Sequence, residues 1–556
     1  MEDLSISVTI ISDGNDRTFS VIKGTSLKAA LDNEHIGYSL VCGGNGICGK
    51  CLVTFLCGAP DATLSDKEHL SASQISMGVR LLCKAILSRD CKVSLGDVVS
   101  GSFSKDGIVG LDNGSSGTFS TDRAVPDETF CGWNRGDPDI ANVVTGYQNP
   151  YGIAIDLGTT TIAAALIRIV SARGIETAEN RLQYEVVRTA SCGNSQRKYG
   201  ADVISRIRAA SEDDNLEKLC SSCREDLRGL IYDLTGGETN LKAITIAGNT
   251  TMLHILMKRD VSSLGKYPYT PVTLRMESLE SKELFGGADN TRLTLLPGIS
   301  AFVGADIVSG LYSLGPLRGE KFFFIDLGTN GEMAFFDGEK IKVASAAAGS
   351  VFEAGGISCG MASVSGAISH VSIDRRTKKA RIKTIDEKEP TGICGTGVIE
   401  TVAELFNAGI IDETGLLEDE YFDYGYPLTE DGAIRFTQQD IRNVQLAKAA
   451  IYTGAKALLQ GKIPDRVYVS GGFGNNMDPE IIESLSMFPK EFSGKIEAVG
   501  NTSLKGAAFY TAASILGSSA QIAAKRELEE LIQKAEVVEL AELDSFSEDY
   551  IEAMNF

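Results

Sequence analysis

Two stretches of this chain carry the same set of chemical groups. Gly152 to Ala165 reads GIAIDLGTTTIAAA, and Phe322 to Glu332 reads FFFIDLGTNGE. In each, an apolar run ends in an aspartate and breaks into a glycine turn set with hydroxyls. The first offers Asp156, Gly158, Thr159 and Thr160; the second offers Asp326, Gly328, Thr329, Asn330 and Gly331. Glycine lets backbone amides face an anion, hydroxyls add donors, and a carboxylate can hold a hydrated Mg2+ against phosphates. One such turn is no more than a hairpin signal. Two of them in register are an internal duplication.

A second set is sulfur. Cys42, Cys48 and Cys51 lie in one glycine-rich loop, CGGNGICGKC, and Cys83 stands far along the chain. Four thiolates so spaced suit a 2Fe–2S cluster, because small residues let the backbone wrap it and aim amides at its sulfurs. A structural zinc is the alternative. Zinc sites usually pair cysteines as CxxC twice, and here only Cys48 and Cys51 have that spacing. Cys57 and Cys91 fall in strand-like segments and read as small core residues. Cys220 and Cys223, a CxxC in a helical run, read as incidental.

Elements must hold these groups in place. Around the cysteines, Ser5–Ile11 and Thr18–Ile22 have strand patterns, and Thr25 or Ser26 caps a helix over Leu27–Asn33. Leu52–Leu56 and Lys92–Leu95 are further strands, and Ser65 to Glu68 has capping-box spacing for a short helix. From Asp97 to Pro150 the periodicity is lost in Gly, Ser, Asp and Asn, which reads as a flexible linker. The single tryptophan, Trp133, lies there, as a tethering anchor or as a contact for a redox partner.

Beyond the first turn, Tyr199 to Arg206 opens a helix. Leu241–Ala247 is a strand ending in Gly248-Asn249-Thr250-Thr251, which either caps the next helix or meets an anion. His254 on that helix reads as packed. Asp306 is expected at the end of a strand and the head of the helix Ile307–Leu314. There it could orient a water attacking a γ-phosphate, or simply cap the helix. Past the second turn, Phe352 to Met361 and Gly392 to Gly397 are glycine-dense. Arg466–Val469 is a strand leading into Ser470-Gly471-Gly472-Phe473-Gly474, and Leu504 to Ala508 is a small-residue helix face. The tail after Gln521 reads as a charged helix and a polar end laid on the surface.

Composition narrows the function class. At 556 residues the chain exceeds one core, and length suggests about three or four folding units. A net charge of -21 repels phosphate backbones, which argues against nucleic acid as a partner. The start, Met-Glu-Asp-Leu-Ser, lacks a signal-peptide build, and no run of about eighteen apolar residues offers a membrane span. Twelve cysteines in such a chain point to reduced thiols and the cytoplasm.

The cysteine loop resembles ferredoxins of the 2Fe–2S type. The two DLGT hairpins, the SGGFGNN turn and the GAA helix, in that order, resemble the acetate/sugar kinase, heat-shock chaperone and actin superfamily. The resemblance implies that Asp156 and Asp326, with the glycines and hydroxyls beside them, hold the phosphates of ATP and Mg2+. It gives Gly471, Gly472 and Gly474 to the adenine and ribose, and makes Asp306 the catalytic acidic residue. A 2Fe–2S ferredoxin fused to such an ATPase, with YGADVISRI, AGNTTM, VGADI and GICGTGV, is similar to the reductive activators of corrinoid proteins. The chain has no cysteine after Cys394, unlike activators with cysteine-rich clusters at the C-terminus.

That resemblance implies an α/β chain: an N-terminal β-grasp ferredoxin domain over 1–96, a linker over 97–150, and a duplicated, actin-like (ribonuclease H-like) ATPase. Its lobes would span 151–316 and 317–520, with a tail over 521–556. The implied activity is ATP-dependent one-electron reduction of a Co(II) corrinoid protein to Co(I), serving a corrinoid-dependent methyltransferase system. The implied partners are that corrinoid protein, an external low-potential electron donor and a second copy of the chain in a homodimer. Two other readings of the same residues are a redox-gated nucleotide switch that grips a partner, and a small-molecule kinase with a fused ferredoxin.

Overall fold

Ile6, Val8 and Ile10 alternate with polar residues, and in the computed structural model of the chain all three turn into one core from strand β1 (Ser5–Ile11). The structure describes residues 5–11, 17–34, 36, 51–70, 72–95, 150–169, 184–212, 214–236, 241–286, 291–315, 317, 319–471, 479–543 and 546–556. Cys42, Cys48, Trp133 and the expected linker, Gly472 and Gly474 lie outside them. The described residues divide into two compact units. One is drawn from Met1–Ser102, Gly193–Asp226 and His254–Tyr269, the other from Phe103–Cys192, Leu227–Leu253 and Thr270–Phe556.

In the first unit β1 is joined by β2 (Arg17–Ile22), β3 (Leu52–Cys57), β4 (Val79–Leu81) and β5 (Cys91–Ser94) in the order β2-β1-β5-β3-β4. Only β1 and β5 pair in parallel; the other neighbours are antiparallel. Helix α1 (Leu27–Asn33) buries Leu27, Ala30 and Leu31 in the same core as Val8, Val53 and Phe55, which is the β-grasp arrangement. Ser26 caps it by accepting from the Ala29 amide at 3.1 Å.

The cap of helix α2 (Leu64–His69) lies two residues before the expected one. Its capping box is Thr63 with Asp66, not Ser65 with Glu68. The reason is tertiary: Asp66 is fully buried, and its second oxygen accepts from the Leu81 amide of β4 at 2.8 Å. An exposed Glu68 could not make that bond. In the same unit, Arg206 of helix α3 (Val203–Ala210) is buried, donating to Gly200 O at 3.0 Å and Gln196 Oε1 at 3.2 Å.

The second unit contains two six-stranded sheets. The first orders β6 (Tyr151–Leu157), β7 (Thr161–Ile169), β8 (Tyr184–Gly193), β9 (Leu241–Gly248), β10 (Glu277–Glu280) and β11 (Arg292–Leu295) as β10-β11-β9-β6-β7-β8. The other comprises β12 (Phe322–Leu327), β13 (Gly331–Phe336), β14 (Ile341–Ala346), β20 (Arg466–Ser470), β21 (Ile496–Gly500) and β22 (Ala535–Val537), ordered β21-β20-β12-β13-β14-β22. Between β14 and β20 come two small sheets, of β15 (Ala367–Asp374), β16 (Lys379–Thr384) and β17 (Gly392–Ile393), and of β18 (Tyr426–Pro427) and β19 (Arg435–Phe436). The duplication is visible in the pairings. In each large sheet an antiparallel hairpin carries the DLGT turn, β6/β7 or β12/β13, and a parallel strand, β9 or β20, flanks its first arm. This is the actin-like, two-lobed arrangement.

Both faces of β12 are covered, which explains its unbroken apolar run. Phe323 and Ile325 face a core that includes helices α7 (Gly395–Asn407) and α8 (Gln438–Leu459), while Phe324 faces another. That other core takes residues from both large sheets and from helices α6 (Ala305–Ser313) and α9 (Thr502–Leu516). The two helices touch through small groups. Ser309 Oγ donates to Ser503 O at 2.7 Å, and a Cβ on Gly506 would stand 2.0 Å from Ser309 O. Gly506 is glycine because nothing larger fits the crossing.

Two expectations are corrected. Residues 296–304 before Asp306 form no strand, and the helix begins earlier, with Gly304 at the cap and Asp306 inside the first turn. The tail contributes more than a helix, α10 (Ser518–Lys534): Ala535–Val537 adds β22 in parallel to β14. Helix α11 (Phe546–Glu552) follows, and the last residues are tied to α8. Lys448 Nζ donates to Ala553 O at 2.9 Å and to Asn555 O, and Gln445 Nε2 donates to Met554 O at 2.8 Å. Among the described residues, no helix is long and apolar enough to cross a membrane.

Candidate functional site

The two hairpins bring their aspartates to the middle of the second unit, each at the end of its strand and each held by distant residues. Asp156 accepts from Ser503 Oγ at 2.7 Å and from Asn501 Nδ2 at 2.9 Å. Asp326 accepts from Ser470 Oγ at 3.1 Å, and that oxygen also lies 2.7 Å from Thr502 Oγ1. Gly471 follows with φ +97°, and a Cβ there would meet Leu327 O at 2.5 Å and Asp326 Oδ1 at 3.1 Å. Only glycine lets the β20 turn come this close to the second DLGT turn.

Asp306 projects from the first turn of α6, where its Oδ1 accepts from the Ile307 amide at 2.9 Å. Glu332, directly across the sheet from Asp326, is buried and accepts from Asn330 Nδ2 at 3.3 Å. Burial pushes the carboxyls of Asp306 and Asp326 up to about 7. Mutual repulsion adds to it: Asp326 and Asp156 act on Asp306, and Asp156 and Glu353 on Asp326. Glu332 is raised well above the carboxylate range by burial, then by Asp306 and Asp326. Asp156 is raised by burial against the opposing bonds from Ser503 and Asn501. Four carboxyls so placed favour the entry of positive charge.

Among the described residues, no three His, Cys, Asp or Glu side chains could ligate one metal directly. The hydroxyls converge as well. Thr160 Oγ1 donates to Glu353 Oε2 at 3.1 Å, and Thr329 Oγ1 donates to the same oxygen at 3.3 Å. Gly158 and Thr159 lie in the turn between β6 and β7; Gly328 donates its amide to Asn330 O at 3.0 Å, and Gly331 opens β13.

Asn249 takes its capping role: its Oδ1 accepts from the Thr251 amide at 3.0 Å at the head of helix α5 (Thr250–Leu256), which is numbered after α4 (Asn215–Thr235). Thr250 Oγ1 donates to Ser300 O at 2.7 Å. A Cβ on Gly304 would lie 2.9 Å from both Asn249 Cα and Asp306 Oδ1, so the heads of α5 and α6 fill the space beside Asp306. His254 is buried, as expected of a packed residue.

In the first unit Cys51 and Cys83 come together, their sulfurs 3.2 Å apart and not joined in a disulfide. The Leu82 amide donates to Cys51 O at 2.7 Å, which fixes the two segments against each other. Soft sulfur ligands brought this close fit a cluster that shares them. Cys91 does not join them; burial first, then Cys57 and Asp90, pushes its thiol up to about 11, so it stays protonated. Cys57, expected in the core, is exposed, because β3 shifts register against β5 between Phe55 and Cys57.

Ser470, Asn501, Ser503, Glu332 and Glu353 were given no site role from sequence. A signal existed for one group of them. Asn501-Thr502-Ser503 is a polar triplet at the head of a small-residue helix, and Asn501 both caps α9, through the Leu504 amide at 2.8 Å, and holds Asp156.

Comparison with known proteins agrees with the fold. Residues 320–556 match the C-terminal domain of RACo, the ASKHA domain; residues 151–316 match the RACo middle region; residues 10–88 match the 2Fe–2S iron-sulfur cluster binding domain. The corrinoid activation enzyme RamQ of Eubacterium limosum is 30% identical over 395 residues, 65% of this chain and 64% of that protein. A [Co(II) methylated amine-specific corrinoid protein] reductase of Methanosarcina barkeri is 26% identical over 393 residues, 64% of this chain and 68% of that one. The chain thus spans about two thirds of the length of these relatives. A solved structure of a reductive activator for corrinoid, iron-sulfur protein aligns with a TM-score of 0.62 and 26% identity, covering 99% of this chain and 98% of that one. The chain has the RACo domain architecture, a 2Fe–2S domain followed by the RACo middle region and the C-terminal ASKHA domain, and is homologous to the corrinoid activation enzymes.

Proposed function

We propose that this protein uses ATP to drive the one-electron reduction of an inactive Co(II) corrinoid protein to Co(I). One electron enters from an external low-potential donor and one leaves to cobalt. A 2Fe–2S cluster held by Cys42, Cys48, Cys51 and Cys83 supplies one-electron chemistry between them. The carrying observation is the pairing of two close sulfurs, those of Cys51 and Cys83, with a duplicated hairpin clamp whose hydroxyls converge on one acceptor.

In the clamp, Thr159, Thr160, Thr329 and Asn330 donate to phosphate oxygens, and Gly158, Gly328 and Gly331 let backbone amides approach them. Asp156 and Asp326 hold Mg2+ through its water shell, in keeping with bonds that already engage their oxygens. Gly471, Gly472 and Gly474 border the adenine and ribose. Asp306 orients the attacking water. The setting is the cytoplasm.

ATP enters because the electron moves uphill. Each ~59 mV of adverse potential costs about 1.4 kcal/mol for one electron. Nucleotide can offset that only by binding one arrangement of the two lobes better than another. Stopped-flow reduction of a Co(II) corrinoid protein by the pre-reduced chain tests the coupling. More Co(I) is expected with Mg-ATP than without it, and equal yields would refute the proposal.

A further inference from the structure

Glu353 stands at the end of a 3-10 turn, Ser350–Glu353, on the second lobe. One of its carboxylate oxygens accepts from a hydroxyl of each DLGT turn, Thr160 at 3.1 Å and Thr329 at 3.3 Å. These are the groups assigned above to phosphate. A carboxylate oxygen and a phosphate oxygen are alike in charge and as acceptors of such bonds.

The turn is built to keep Glu353 there. Gly349 before it has φ +71° and Ala354 after it φ +60°, the latter an unfavourable backbone for a residue with a Cβ. The Gly355 amide closes onto Ser350 O at 2.7 Å. From behind, the head of α7 presses so near that a Cβ on Gly395 would lie 1.8 Å from Phe352 O. The side chain is also held near a like charge, since Glu353 is one of the groups that repel Asp326. An acidic side chain fixed beside a second carboxylate, and joined to hydroxyls from both hairpins, is poorly explained as a stabilising contact alone.

We propose that Glu353 is an internal stand-in for phosphate: in the nucleotide-free chain its carboxylate occupies the seat of the terminal phosphate, bridges Thr160 to Thr329, and must leave for ATP to enter. It thereby ties the two hairpins together before nucleotide arrives and makes affinity depend on the number of phosphates. The proposal rests on the nucleotide reading of the site.

The test compares the full chain with its Glu353→Ala and Glu353→Gln variants. Binding of AMP and ATP, each with Mg2+, is measured by calorimetry, and melting confirms that the exposed substitution leaves the fold intact. If the bridged state holds about 90% of the empty protein, its loss tightens ATP by about tenfold and leaves AMP unchanged. ATP affinity unchanged or weakened in both variants overturns the gate, as does loss of hydrolysis with ATP binding unaltered. A wild-type chain that binds no ATP overturns the nucleotide assignment itself, which separates the two failures.

Discussion

Asp306 and Asp326 sit among other acids, and their chemistry follows from that company. Each is raised from 3.8 to about 7 by burial and by neighbouring carboxylates. Between these values the folded chain holds protons that the unfolded chain has released, so stability falls as pH rises through that window and levels above it. The nucleotide-free protein is expected to melt lower at about pH 8 than at about pH 5. Asp326→Asn should lose part of this slope, and Mg2+ should flatten it in the wild type. A thermal melt series reads both, and an identical slope in the variant would be evidence against the cluster. For Asp306→Asn, hydrolysis should drop by about a hundredfold or more while ATP binding persists, as for the loss of a group that positions a proton transfer. Asp156 and Asp326 were legible in the sequence because each ends an apolar run before a glycine turn. Their partners were not. Asn501 reaches Asp156 across 345 positions, and a local pattern carries no record of such a bond.

At the scale of elements, the hairpins were readable because both faces of β12 are buried and its run of phenylalanines has no other use. The start of α2 was misread because a buried acid within it, Asp66, is fixed by the Leu81 amide from outside the helix. Asp306 was placed at a strand end because apolar residues precede it; those residues instead turn in a loop onto the head of α5. The crossing of α6 and α9 is where sequence and structure agree most closely, through the small residues around Gly506. Gly506→Ala drives a methyl group into Ser309 O, and overpacking of this kind costs about 1–3 kcal/mol. Chemical denaturation should show a lower midpoint with an unchanged slope, and a stability equal to wild type would refute the tight crossing.

Across the whole molecule, the thiols and the hairpin carboxylates belong to different units, so their losses should be separable. Cys83→Ser is expected to remove the visible and paramagnetic signals of the reduced protein and to abolish cobalt reduction, yet to leave ATP binding intact. Asp326→Asn should keep those signals and weaken Mg-ATP. Absorption, electron paramagnetic resonance and calorimetry on the two variants check this, and loss of both properties in either one would contradict it.

The strand β22 bears on association. A sheet edge with free amides and carbonyls is a template on which another chain can grow, and β14 would present such an edge. By lying along it, Ala535–Val537 occupies those groups from within the same polypeptide. Along Ile341–Val343, another chain that extended this sheet would therefore have to pair with β22, an edge of three residues, and not with β14.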